Sequence, residues 1–149
     1  MYGKDALKII VAGIVFAIIS FLVNNIVAMA TMNYYMMPEL FQVWSKVMMP
    51  IAGPPPASFM YLSFALSAII GMLFAAVYMT IRSVFEGEPT LKKGYTFGFL
   101  AFLIGTLPGT FSMYLMINLP VGLLAWWALS GLIVNVVAGI AVAAVAEKM

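Results

Sequence analysis

The chain reads as an all-α integral membrane protein: a four-helix bundle, N-in and C-in, with a short amphipathic interfacial helix in the outer loop between helices 1 and 2. Three observations predict this. Hydrophobic residues make up 65% of the 149 positions and charged residues only 8%, whereas a soluble domain is about a quarter charged. Four apolar stretches are each long enough to cross a bilayer, which takes about 20 residues of helix. Lys4, Lys8, Arg82, Lys92, Lys93 and Lys148 fall at one set of stretch ends and Lys46 at the other. Basic loops stay in the cytoplasm, so both termini and the 83–93 connection are expected inside.

The whole chain, 1–149, forms one membrane domain. The first span covers 7–31, the second 57–82, the third 94–117 and the fourth 120–146. Val, Ile and Phe abound, but the stretches are too long for strands and show no alternating barrel pattern. The first span also resembles a secretory signal, with Lys4, Lys8 and an Ala28-Met29-Ala30 site. Its spanning length and the interruption at Asn24-Asn25 favour a retained helix.

The connections differ in character. Asn118-Leu119 and the inner loop with Glu86-Gly87-Glu88-Pro89 are short, which makes antiparallel neighbours. The outer loop, 32–56, is long. Pro38 suits a first helical turn. After it, Leu40, Phe41, Trp44, Val47 and Met48 share one face, opposite Glu39, Gln42 and Lys46. That pattern predicts the interfacial helix. Pro54-Pro55-Pro56 predicts a stiff, extended entry to the second span. A proline followed six residues later by tryptophan occurs twice, at Pro38 and Pro120, and reads as coincidence.

Composition also excludes chemistry. The sequence has no cysteine and no histidine. That removes disulfides, thiolate chemistry, the usual zinc sites and the commonest general base. No carboxylate lies within a span, so nothing suggests proton coupling. No phosphate-binding Gly-rich loop precedes a helix. No basic cluster exceeds Lys92-Lys93, so no nucleic-acid partner is expected. A non-enzymatic protein without a cofactor is the reading. The spacing Met32-x-x-x-Met36 is similar to that of copper-uptake channels, but their three-helix frame and methionine-rich tails are missing. The outer methionines therefore read as apolar filling. Tyr34, Tyr35, Trp44, Trp126 and Trp127 read as an interfacial belt.

Three residue sets remain as candidates. Small residues recur at helical spacing in every span, with Gly13, Gly71, Gly98, Gly105, Gly109, Gly131 and Gly139 as candidate packing positions. Close backbone approach, rather than hydrophobicity, brings membrane helices together. Ser20, Asn24, Ser63, Ser67, Thr106, Thr110, Ser130 and Asn135 form a candidate polar layer, mostly in the outer half, with Asn135 deeper and out of reach of Asn24. They serve either as interhelical hydrogen bonds or as the lining of an outward vestibule. Pro108 is a candidate hinge, because it cannot donate to the carbonyl of Ile104.

The expected partners are the lipid bilayer and either a second copy or another membrane subunit. Four helices do not need four small-residue stripes merely to pack with each other. The function expected is a structural or accessory subunit. The alternative is a small oligomeric channel or transporter, resting on the polar layer and Pro108. A weaker alternative is binding of a lipid or hydrophobic ligand by the aromatic outer loop.

Overall fold

A computed structural model describes residues 2–51 and 55–149, with the side chains of residues 2 and 3 left aside. The described residues are helical and contain no strand. The helices are α1 (Tyr2–Ala30), α2 (Met32–Tyr35), α3 (Ala57–Ile81), α4 (Thr90–Ala101), α5 (Leu107–Met116) and α6 (Val121–Lys148). A π-helical turn, Phe102–Thr106, joins α4 to α5, so the two form one continuous rod. α1, α3, the α4–α5 rod and α6 are long and apolar enough to cross a membrane.

Helix and hydropathy boundaries differ at the 83–93 connection. A 3-10 turn, Arg82–Phe85, extends the second span, and α4 already begins at Thr90. Pro89 precedes it in an extended conformation, φ −60° and ψ 144°, the geometry of a helix N-cap. Lys92 and Lys93 therefore belong to a helix end rather than a loop. Gly87 makes the tight reversal with φ +85°, a conformation that suits glycine.

The helices stand side by side as α3, α1, α6 and α4, with α1 and α6 in the middle. α3 and α4 meet near the end that carries the termini, where Phe74 and Phe97 rings lie 4.7 Å apart and Tyr78 and Phe97 rings 5.2 Å apart. Tyr78 is fully buried there with Ala12, Ala75, Phe85, Val142, Ala143 and Ala146. A middle cluster joins Phe16, Val134 and Ala138. α3 buries Gly71, Ala75 and Tyr78, all in its second half, and α5 buries nothing.

The outer loop departs from the expected interfacial helix. Its helical content after Pro38 is one 3-10 turn, Pro38–Leu40, followed by further turns as far as Met48. Of the expected apolar face, Leu40 and Trp44 are buried with Met49 against Leu119, Leu123 and Leu124 at the start of α6, while Val47 is exposed. Burial against the bundle fixes the loop in turns, where an amphipathic helix would have needed a lipid surface. Pro54 lies outside the described residues; Pro56 is extended, φ −68° and ψ 158°, and leads directly into α3.

Trp44 holds this cap, with its ring 5.0 Å from Tyr35 and 6.3 Å from Trp127. Trp127 Nε1 donates to Tyr35 Oη at 3.1 Å. Tyr35, Trp44 and Trp127 thus form a packed cluster, while Trp126 stays exposed as a belt residue would. Trp44→Ala removes a large buried side chain, a change that costs about 3–5 kcal/mol in a packed core. The expected result is fast hydrogen exchange across 38–49 with the spanning helices still protected.

Candidate functional site

The glycines of the spans divide into two groups. Most sit where backbones touch. A Cβ on Gly71 would stand 2.7 Å from the Gly13 carbonyl oxygen, and one on Gly13 3.0 Å from the Ala68 carbonyl oxygen. On the other side of the molecule, a Cβ on Gly94 would lie 2.6 Å from the Gly139 carbonyl oxygen, one on Gly98 2.8 Å from Val136 Cα, and one on Gly139 2.9 Å from Gly98 Cα. Real Cβ atoms do not approach backbone so closely. These residues set the α1–α3 and α4–α6 seams, the close approach that small residues allow in membrane helices.

Gly105 and Gly109 differ. A Cβ on either would meet nothing within 4 Å. The reason is the π turn. α4 presents Gly94 and Gly98 to α6, and a regular α-helix would next bring Gly105 and then Gly109 round to the same side. The Leu107 N–H instead bonds to the Phe102 carbonyl, five residues back, which inserts one extra residue into the rod. Thr106 takes the place against α6 that Gly105 would have held. The stripe read from the sequence is therefore broken, and its upper half faces away from α6.

Pro108 explains why the turn is there. It lies in the first turn of α5, immediately after the π segment. Having no N–H, it cannot continue the hydrogen-bond ladder, and a widened turn is one way a helix accommodates that loss. Pro108, the candidate hinge, stands at this change of helix type.

The polar residues form two small networks rather than one layer. In the first, Asn24 Nδ2 donates to Ser20 Oγ at 3.0 Å, and Ser130 Oγ donates to Asn24 Oδ1 at 2.6 Å. Ser20 and Ser130 are buried. In the second, Asn135 Nδ2 donates to Thr106 Oγ1 at 3.0 Å and to the Gly131 carbonyl at 2.7 Å. Thr106 also rests in the notch left by Gly131. Asn135 shares no hydrogen bond with Asn24. Thr110 donates to the Thr106 carbonyl at 2.9 Å within its own helix. Ser63 is exposed, Ser67 half-buried, and neither joins a network.

No family model, curated protein or solved structure matches the chain. The physical reading therefore rests on the geometry alone. The first network ties α1 to α6, and the second ties the rod to α6. Interhelical hydrogen bonds of this kind average about 0.6 kcal/mol in a membrane, and at most about 1.7. Asn24→Leu is accordingly expected to change unfolding stability by about 1 kcal/mol or less, because Ser130 can turn its hydroxyl to its own helix. Reversible unfolding in detergent measures it.

One polar contact at the terminal end had no signal in the sequence. Glu88 pairs with Lys92, four residues along the chain, at 2.8 Å. Lys93 pairs with Glu147 near the end of α6, at 2.6 Å. Thr90 also donates to Glu147, and Lys8 Nζ donates to the Ala146 carbonyl at 2.7 Å. The last turn of α6 is thereby tied to α1 and to the start of α4. No local spacing reveals a pairing between residues this far apart in the chain.

Proposed function

We propose that the protein is a non-enzymatic, polytopic membrane subunit that associates through the face of the α4–α5 rod bearing Gly105 and Gly109. Both termini and the 86–89 turn lie on the cytoplasmic side, in line with the distribution of basic residues. The observation that carries the reading is the contrast between the two groups of glycines. Gly13, Gly71, Gly94, Gly98 and Gly139 are used up by contacts within the chain, whereas Gly105 in the π turn and Gly109 in α5 are open. Ile104, Phe111, Leu115 and Met116 stand exposed around them. A low surface flanked by apolar side chains suits another helix, either from a second copy or from a larger complex.

Transport of a small solute or ion is the competing reading. The mutual hydrogen bonding of Ser20, Asn24 and Ser130, and of Thr106 and Asn135, weighs against it, because these groups satisfy each other. None of them lines the groove between α3 and α4 or the small cavity in the outer loop.

The absence of cysteine from the sequence makes a clean test available. Gly109→Cys adds a side chain into open space and can carry a photo-reactive maleimide in the native membrane. Cross-linking to one polypeptide of defined mass, the protein itself or another, is the expected result. Adducts with lipid alone would refute the association.

A further inference from the structure

The groove between α3 and the α4–α5 rod has Ile70 and Phe74 on one wall and Ala101 and Ile104 on the other. Ser63 and Ser67 precede Ile70 and Phe74 by seven residues, about two helical turns, and so extend the first wall away from the termini. Gly105 and Gly109 extend the second, four and eight residues beyond Ala101. Within one copy these walls do not meet, since a Cβ on Gly105 or Gly109 has nothing within 4 Å. We infer that two copies of the chain pair groove to groove, so that α3 of each meets α5 of the other and Ser67 donates a hydrogen bond to the Ile104 carbonyl. The inference rests on the association proposed above and names its partner.

Hydrogen bonding is the first argument. The Leu107 N–H goes to the Phe102 carbonyl, and Pro108 has no N–H. The Leu103 and Ile104 carbonyls therefore lose the donors that an α-helix would give them. The nearby hydroxyls of Thr110 and Ser112 donate elsewhere, to the Thr106 and Pro108 carbonyls. Ile104 lines the groove and is 77% exposed. Inside a bilayer no water reaches such a carbonyl, and protein has to satisfy it. An acyl chain brings no donor. Ser63 and Ser67 are hydroxyls that join neither polar network, and they stand on the other wall.

Depth is the second argument. At 1.5 Å per residue, Ser67 lies about 15 Å from the start of α3, and Gly105 about 17 Å from the end of α5. Ser63 and Gly109 lie about 9 Å and about 10 Å from the same ends. A two-fold axis along the membrane normal, the commonest symmetry of paired chains, keeps every depth and exchanges the two walls. It sets Ser67 of one copy against Gly105 and the Ile104 carbonyl of the other, and Ser63 against Gly109. Serine and glycine at a spacing of four let two helices come close. A contact between like walls would instead put serine on serine and carbonyl on carbonyl, leaving the carbonyls without donors.

The test uses the cysteine-free sequence. Copies with Ser67→Cys and copies with Ile104→Cys, each carrying its own tag, are produced together in one membrane and oxidised. A disulfide-linked dimer bearing both tags is expected, in large excess over the dimer from either variant alone. No mixed dimer, or equal yields from the mixture and the single variants, would overturn the proposal. Ser67→Ala keeps the packing and deletes the donor. It should raise the dimer dissociation constant about eightfold, the loss of two hydrogen bonds of average strength in a membrane. An unchanged constant would also overturn the proposal. A Gly109→Cys cross-link to a different polypeptide would defeat this pairing and leave the association standing, whereas adducts with lipid alone would remove both.

Discussion

Gly139→Leu is expected to unfold the α4–α6 seam. A Cβ at this position already stands 2.9 Å from Gly98 Cα and closer still to the Gly94 carbonyl oxygen. Both obstacles are backbone, so no side-chain rotation relieves them. Over-packing a tight core costs about 1–3 kcal/mol when neighbours can shift. Here a whole helix must move, and the effect should exceed that range. The displacement would also separate Thr106 from Asn135 and Lys93 from Glu147, the other links between the rod and α6. A steep fall in the temperature of aggregation in detergent, with faster exchange along 90–106, is the readout. A variant as stable as the parent would mean that α4 and α6 do not approach as described.

Gly105→Leu should behave in the opposite way. The same substitution, about two turns along the rod from Gly98, adds a side chain where nothing lies within 4 Å. The helix gains slightly, since leucine is a better helix former than glycine by somewhat under 1 kcal/mol. Stability should therefore be kept or raised. Association should be lost, because a leucine holds apart the two backbones that glycine lets meet. The pair of variants separates packing within the chain from packing between chains: one loses the fold, the other keeps the fold and loses the partner. Gly105→Leu and the parent can be compared by size-exclusion chromatography with light scattering.

The sequence made some features legible and hid others, for physical reasons. The four long apolar helices were legible because their length and composition set them apart from the connections. The seams at Gly13–Gly71 and Gly98–Gly139 were legible because small residues at helical spacing mark close approach. Gly105 and Gly109 carried the same mark and do something else. Their register depends on one extra residue in the π turn, and Pro108 signalled an interruption without saying what form it takes. The outer loop forms turns in which Leu40 and Trp44, from the expected apolar face, pack with Met49 against the start of α6. Periodicity reports that a face is apolar, not what covers it. The pairing of Lys93 with Glu147 lay outside local reasoning altogether, since it joins helix ends from opposite ends of the second half of the chain.

The polar networks were legible as residue types but not as partners. Ser63 and Ser67 lie on α3, whose first half buries nothing, and so they stay out of the hydrogen bonding that joins α1, α6 and the rod. That separation turns a layer that could have lined one vestibule into two local ties.

The most direct test of the central claim is native mass spectrometry of the protein released gently from its own membrane. The account predicts a discrete homo-oligomer or a stoichiometric second polypeptide, lost in Gly105→Leu. A monomer in the parent protein, unchanged by that substitution, would contradict it.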